Sequence, residues 1–179
     1  ELVASVESDI ASLMDDHRSR RQHWYAHDLV PWELGRSFRD EPWNESQATL
    51  SPEVRTALHL NLLTEDNLPY YHAKIAGSFA EDSPMAEWSR LWTAEEGQHA
   101  IAIRNYLLTS RNCDPDLLED ERVATVSKGW RYDSPCPVEV FVYTSAQELA
   151  TRISHRNAGV KADCAVAHEV MTRVAADEN

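Results

Sequence analysis

Two ionisable residues stand where a helix ought to be apolar, and they constrain this chain more than any other feature. In and just before the run WTAEEGQHAIAIRNYL (Trp92 to Leu107), Met85, Trp88, Trp92, Ile103 and Leu107 recur at steps of three or four. That spacing is the core-facing stripe of an amphipathic helix. Carried across the gap between Trp92 and Ile103, the stripe lands on Glu96 and His99. Glu95 lies about 100° round the helix and can reach water. A carboxylate on a core stripe is strongly destabilising unless it is paired or bound to a metal. Glu96 therefore needs a partner inside the fold.

The rest of the chain offers candidates on further helices. Residues 2–22 carry Val3, Val6, Ile10, Leu13 and His17 at helical spacing and end in the basic run HRSRRQH. Between about 23 and 52, Pro31, Pro42 and Pro52 with several aromatics predict an irregular segment packed on a bundle. Ser51-Pro52 and Ser83-Pro84 each read as an N-cap followed by proline at the first helical position. The spacing predicts a second helix from there to about Ala80 and a third to about Ser110. Residues 111–137 contain a shorter acidic helix and a proline-bearing loop. Segment 138–157 alternates at first like a strand (Val138, Val140, Val142), but its length and its Ala, Leu, Glu and Arg content favour a helix. A last helix spans 160–179, with Cys164, Ala167, Met171, Val174 and Glu178 on one stripe.

Three of these helices repeat the anomaly of the first. Glu65 replaces an apolar residue on the stripe Leu58, Leu62, Leu68, His72, Ile75, Phe79, and Pro69, four residues on, removes the helical hydrogen bond to its carbonyl. Glu178 follows Val174 on the last stripe. Glu148 lies beside the stripe Val142, Ala146, Leu149, Ile153, so its inward aim is the weakest of the four. Four helices that each bring one glutamate inward, one of them with a histidine at i+3, match the carboxylate-bridged dimetal pattern of ferritin-like bundles.

Composition bounds what such a bundle can do. With 179 residues, 42% of them hydrophobic, and no Gly/Ser-rich linker, one well-buried domain over residues 1–179 is expected. No run approaches a membrane span and the start lacks a signal-peptide pattern, so a soluble, cytoplasmic protein is expected. Three cysteines without CxxC spacing argue against a disulfide framework or a zinc site. A formal charge of −13 disfavours general nucleic-acid binding.

The words of the sequence carry a resemblance. LLTEDNLPYYH, RLWTAEEGQHAIAIRNYL, VYTSAQELATRISHRNAG and VAADEN, in this order and approximate spacing, resemble the acyl-acyl carrier protein desaturases, soluble diiron enzymes of plants and actinobacteria. The likeness runs from about Trp24 to Asn179. It implies an all-α, ferritin-like four-helix bundle with additional helices, two bound irons, and usually a homodimer. The implied reaction is oxygen-dependent formation of a cis double bond in an acyl chain on acyl carrier protein, with electrons from a ferredoxin-type donor. The alternatives are a related diiron hydroxylase of carrier-bound acyl groups, or a non-catalytic relative that binds metal or carrier.

Residue by residue, the resemblance places the metal ligands on Glu65, Glu96, His99, Glu148 and Glu178. It puts Thr151 near the oxygen-binding face, and Trp92, Asp177 and Trp24 on the route of electrons. It also implies a second ligand histidine two positions beyond Asn179. Because the chain starts at Glu1 and is short between Arg36 and Trp43, residues of the whole protein are expected to be missing from it. Where relatives commonly have arginine before the histidine, this chain has EEGQHA, a change in the ligand's surroundings. Met85, Trp88, Trp92 and Phe141 are candidate walls of an acyl channel. Arg18, Arg20 and Arg21 form a candidate patch for the acidic carrier, with favourable charge at a helix C-terminus as the plainer role. Lys128, Arg131, Arg152, Arg156 and Lys161 are further candidates. His72 and His155 read as hydrogen-bonded structural histidines, His17, His23 and His27 as surface residues, and Glu95 as a solvated or near-ligand carboxylate.

Overall fold

Three of the long helices begin on one local signal, a capping side chain followed by proline. Ser51 accepts from the N–H of Val54, Ser83 from that of Ala86, and Asp114 from those of Asp116 and Leu117. The proline then sits in the first turn, where a missing N–H has no helical partner to lose. The computed structural model describes residues 5–131, 133 and 136–178, and among these there are helices and turns but no strand. Val3 and Asn179 lie outside the described residues.

In chain order the helices are α1 (Glu7–Arg20), α2 (Ala26–Leu29), α3 (Pro52–Glu65), α4 (Leu68–Ala76), α5 (Pro84–Thr109), α6 (Pro115–Lys128), α7 (Pro137–Lys161) and α8 (Ala165–Asp177). Short 3-10 turns lie at Trp32–Leu34 and Glu45–Gln47. α3 packs on α5 and α7, and α8 packs on the same two, which closes a ring of four. α4 carries on from α3 along α5, while α1 and α2 lie on α5 from outside and α6 lies on α3. This is the expected all-α, ferritin-like architecture with additional helices.

The ring is held by Leu58 and Leu62 of α3, Ile103 and Leu107 of α5, and Val170, Met171 and Val174 of α8, all fully buried. Each contributes about 1.5–3 kcal/mol by leaving water. α7 approaches α8 closely through Gly159. A Cβ there would stand 2.9 Å from the Cβ of Met171, so only glycine permits the approach. Just beyond the C-terminus of α5, Arg111 is fully buried under the 36–47 loop. It donates to Gln47 and to the carbonyls of Arg36 and Glu41, and its guanidinium lies 4.3 Å from the centre of the Phe38 ring.

Four sequence expectations shift in the structure. The helix expected from Pro52 to Ala80 breaks after Glu65 and restarts at Leu68, with Pro69 in its first turn, so the proline interrupts the helix outright. The last turn between helices falls at Ala162–Cys164, where Asp163 takes φ 47°, and α7 therefore runs to Lys161. On α1 the expected stripe is largely exposed, Leu13 at 66%, and the buried residue is Met14. On α7 the expected stripe points outward: Val142, Leu149 and Ile153 are 66%, 56% and 51% exposed. The buried side of α7 carries Val140, Thr144, His155, Ala158 and Gly159.

Candidate metal centre

The centre lies where the ring of four helices is least apolar. Glu65 is the last residue of α3, placed there by the break before Pro69. Glu96 and His99 share one turn of α5 and are buried, as the interrupted stripe required. Glu178 caps the C-terminus of α8, its N–H bonded to the carbonyl of Val174. One ligand atom from each of Glu65, Glu96, His99 and Glu178 lies within 4.8 Å of all the others, so this buried group can hold a metal ion. The rotated face of α7 brings Glu148 beside them, half-buried and hydrogen-bonded to Glu178. Thr151, one turn on, donates to Glu178 Oε2 at 2.7 Å.

His99 shows what the group is built to take. Its Nε2 faces Asp177 Oδ2 at 3.4 Å, so Nδ1 is the nitrogen that can offer a metal a lone pair once it gives up its proton. Nδ1 lies 3.0 Å from Glu96 Oε2, 3.4 Å from Glu178 Oε1 and 3.5 Å from Glu65 Oε2. It is nevertheless a buried polar atom without a well-formed hydrogen bond. A buried imidazole nitrogen that converges with three carboxylate oxygens, and bonds to none, fits a cation at their common focus. Oxygen-rich ligands with imidazole suit iron or manganese.

Four carboxyl groups in a dry space cannot all ionise. Burial, with repulsion from Glu178 and Glu65, raises Glu96 despite the attraction of His99. Burial, a shared hydrogen bond with Glu178 and repulsion from the other glutamates push Glu148 up to about 10. Burial also acts to raise Glu65 and Glu178, but the His155 and His99 imidazoles facing them outweigh it and hold both below the ordinary range. On the two histidines burial opposes charge, yet His99 lies well above its usual value and His155 is raised to about 9 by their carboxylate partners. The group neutralises itself with protons that a bound cation would displace.

Of the residues placed on the electron route, Asp177 and Trp24 meet. The Trp24 indole N–H donates to Asp177 Oδ2 at 2.5 Å, and its ring stacks on His99 at 6.2 Å and 11°. Gln98, next to His99, accepts the N–H of Ala26 and so holds the segment that carries Trp24. Trp92 lies elsewhere, stacked on Trp88 at 5.7 Å and lining a cavity of about 550 Å³. Met85, Trp88 and Phe141 line the same cavity, and Glu96, Glu148, Asp177 and Glu178 form its polar end. Arg18, Arg20 and Arg21 all have acidic partners, in Glu87, Asp16 and Glu95. Lys128, Arg131, Arg152, Arg156 and Lys161 are exposed, and Arg152 stands at the rim of the large cavity.

His155, expected as a hydrogen-bonded structural histidine, has the centre's own carboxylates as its partners. It is fully buried, and its Nε2 is 2.9 Å from Glu65 Oε1 and 3.3 Å from Glu178 Oε1. The signal was its place seven residues after Glu148, two turns along the same face. Tyr71 joins the centre with no sequence signal of its own. It lines a small second pocket with Glu65, Gln147 and Thr151, and burial and the neighbouring Tyr143 raise its hydroxyl above the ordinary range. His72 bonds Thr93 at 2.7 Å, a structural role. Glu95 is only 14% exposed and is paired with His17 and Arg21, so it is not a solvated carboxylate. Among the described residues no helix is long and apolar enough to cross a membrane.

Comparison with known proteins adds a family to this geometry. A family model described as fatty acid desaturase matches residues 1–179. DesA1 of Mycobacterium tuberculosis is 37% identical over 190 residues, which cover 100% of this chain and 56% of that protein. The chloroplastic stearoyl-(acyl-carrier-protein) 9-desaturase 6 of Arabidopsis thaliana is 34% identical over 145 residues, 75% of this chain and 37% of its own length. The X-ray structure of DesA2 from Mycobacterium tuberculosis superposes with a TM-score of 0.76 at 29% identity, over 99% of this chain and 64% of that one. The chain thus spans about half the length of DesA1.

Proposed function

The chain belongs to the fatty acid desaturase family, and on that premise we propose that it forms the diiron bundle of an acyl-acyl carrier protein desaturase, an oxygen-dependent enzyme that inserts a cis double bond into the carried acyl chain. The observation that carries this reading is the orphaned Nδ1 of His99 among three buried carboxylates. An unactivated methylene has no acidic proton, so no side chain can open its C–H bond by acid–base or nucleophilic chemistry. A cofactor must supply that step. In this reading Glu65, Glu96, His99, Glu148 and Glu178 hold two irons, which supply redox chemistry with dioxygen strong enough to remove two hydrogens from adjacent carbons.

The remaining residues position and shield. Asp177 fixes the His99 ring by facing its outer nitrogen, the arrangement that sets tautomer and aim at metal sites. Trp24, bonded to Asp177, extends the same line outward and is the proposed entry for electrons from a ferredoxin-type donor. Thr151 holds Glu178 by its hydroxyl. Trp88, Trp92 and Phe141 give the large cavity aromatic walls beside the carboxylates, which would exclude water and hold a hydrocarbon chain in register. A homodimer belongs to the same reading, supported by the exposed apolar row Val138, Val142, Ile153 and Val160 on α7.

The test is metal content followed by product analysis. Full-length protein loaded with ferrous iron should hold two irons per chain. With reduced ferredoxin, dioxygen and a saturated acyl carrier substrate it should yield an alkene. An alcohol in place of the alkene moves the assignment to a hydroxylase, and a protein that refuses iron refutes it.

A further inference from the structure

The large cavity has one wall that the ring of four helices does not supply. Ile10, Leu13, Met14 and His17 of α1 line it, yet Met14 is the buried residue of that helix and Leu13 is largely exposed. Beside the buried Met14, the contacts of α1 and its C-cap with α5 are ion pairs. Arg18 pairs with Glu87, Arg21 Nε lies 2.6 Å from Glu95 Oε1, and His17 Nε2 lies 3.0 Å from Glu95 Oε2. Both glutamates are on α5. Just beyond α1 the chain is pinned firmly, by Trp24 to Asp177 and by the Ala26 N–H to Gln98. Residues 21–25, which carry Arg21 and Trp24, are not helical.

We propose that α1 is a charge-latched strap over the cavity, released when an acidic partner surface takes Arg18 and Arg21 away from Glu87 and Glu95. Clustered carboxylates on the partner offer the two guanidinium groups the same contacts that α5 offers them now. Surface ion pairs are individually weak and screened by salt, which suits contacts that are made to be exchanged. The C-terminal pin makes α1 swing rather than detach, and the swing removes the wall formed by Ile10, Leu13 and Met14. A hydrocarbon chain can then enter from the side. The latch stands on these contacts alone, whereas identifying the acidic partner as an acyl carrier rests on the proposed function.

The experiment is hydrogen–deuterium exchange of the α1 amides in the full chain, in parallel with the uptake rate of a fluorescent long-chain fatty acid. Polyglutamate serves as the acidic probe at low salt. Polyglutamate should speed both α1 exchange and uptake by about tenfold, the loss of two surface pairs. Glu87→Gln/Glu95→Gln should reach those rates without the probe and respond to it no further, and so should Arg18→Gln/Arg21→Gln. If one variant loses its far-ultraviolet helical signal, the other carries the test. Exchange that is indifferent to both variants and probe, or a probe response that survives in the variants, overturns the latch. Neither readout uses metal, electron donor or carrier, so its failure leaves the desaturase reading standing, and failure of desaturation leaves the latch standing.

Discussion

Loading the centre with a divalent metal should expel protons, in a number the geometry fixes. Near pH 7 the metal-free group holds protons on Glu148, raised to about 10, and on His99, raised well above its usual value. Glu65 and Glu178 lie below the ordinary range and are already ionised. A metal needs carboxylates and an imidazole lone pair, so the Nδ1 proton of His99 and the proton of Glu148 must leave. Binding should therefore release about two protons per chain, and apparent affinity should rise about a hundredfold per pH unit around neutrality.

Calorimetric titration with zinc or ferrous ion, in buffers of differing ionisation enthalpy, counts those protons directly. Glu148→Gln removes one titrating group and should lower the count by about one, with the fold intact because Glu148 is only half-buried. Release of less than about one proton, or a count unchanged in Glu148→Gln, would show that the carboxylates do not share protons as their geometry demands.

Stability of the metal-free protein should fall as pH rises from about 6.5 to 9. His155 and Glu148 have folded values raised to about 9 and about 10, so the folded state binds more protons than the unfolded chain across that window and loses that advantage upward. Thermal melts should show the trend, and metal should abolish it. Trp24→Phe removes the donor to Asp177 at a cost of about 1 kcal/mol. It should keep its metal by elemental analysis while reduction by a ferredoxin-type donor slows, and unaltered reduction would detach Trp24 from the electron route. Gly159→Ala should destabilise by about 1–3 kcal/mol through the clash with Met171. Denaturant unfolding measures this, and no loss would mean that α7 and α8 can part freely.

Much of this was legible in the sequence because two kinds of signal do not depend on the rest of the fold. Caps are local, and Ser51 and Ser83 start helices from their own side chains. Interrupted stripes are local too: on α5 the apolar residues either side of Glu96 and His99 fix the helix phase so firmly that the two can only point inward. Less legible was whatever depended on a cavity. α1 has the spacing of a core helix, yet Leu13 faces open space, because an apolar residue beside a cavity gains its burial only when the cavity is filled. Of the two roles open to Glu95, solvated or near-ligand, the sequence cannot discard the solvated one because the partners, His17 and Arg21, sit 78 and 74 positions away.

α7 is where hydrophobic periodicity gave the wrong face, and the reason is physical. A helix orients to bury what is costliest to leave exposed, which on most helices is the apolar stripe. On α7 the inward face carries Glu148, Thr151 and His155, and the strongest apolar row, Val142, Leu149 and Ile153, is left outside. Two terms fix that phase. Gly159 lets α7 close on α8 only along one line, and His155 on that line satisfies Glu65 and Glu178, which would otherwise be buried without enough partners. Turning α7 by about 100° would bury three aliphatic side chains, worth about 1.5–3 kcal/mol each. It would also strand two buried carboxylates and lose the glycine contact, and an unpaired buried charge alone costs about 3–5 kcal/mol. The polar face wins because its partners are already buried on other helices, and a reading of one helix at a time cannot see them.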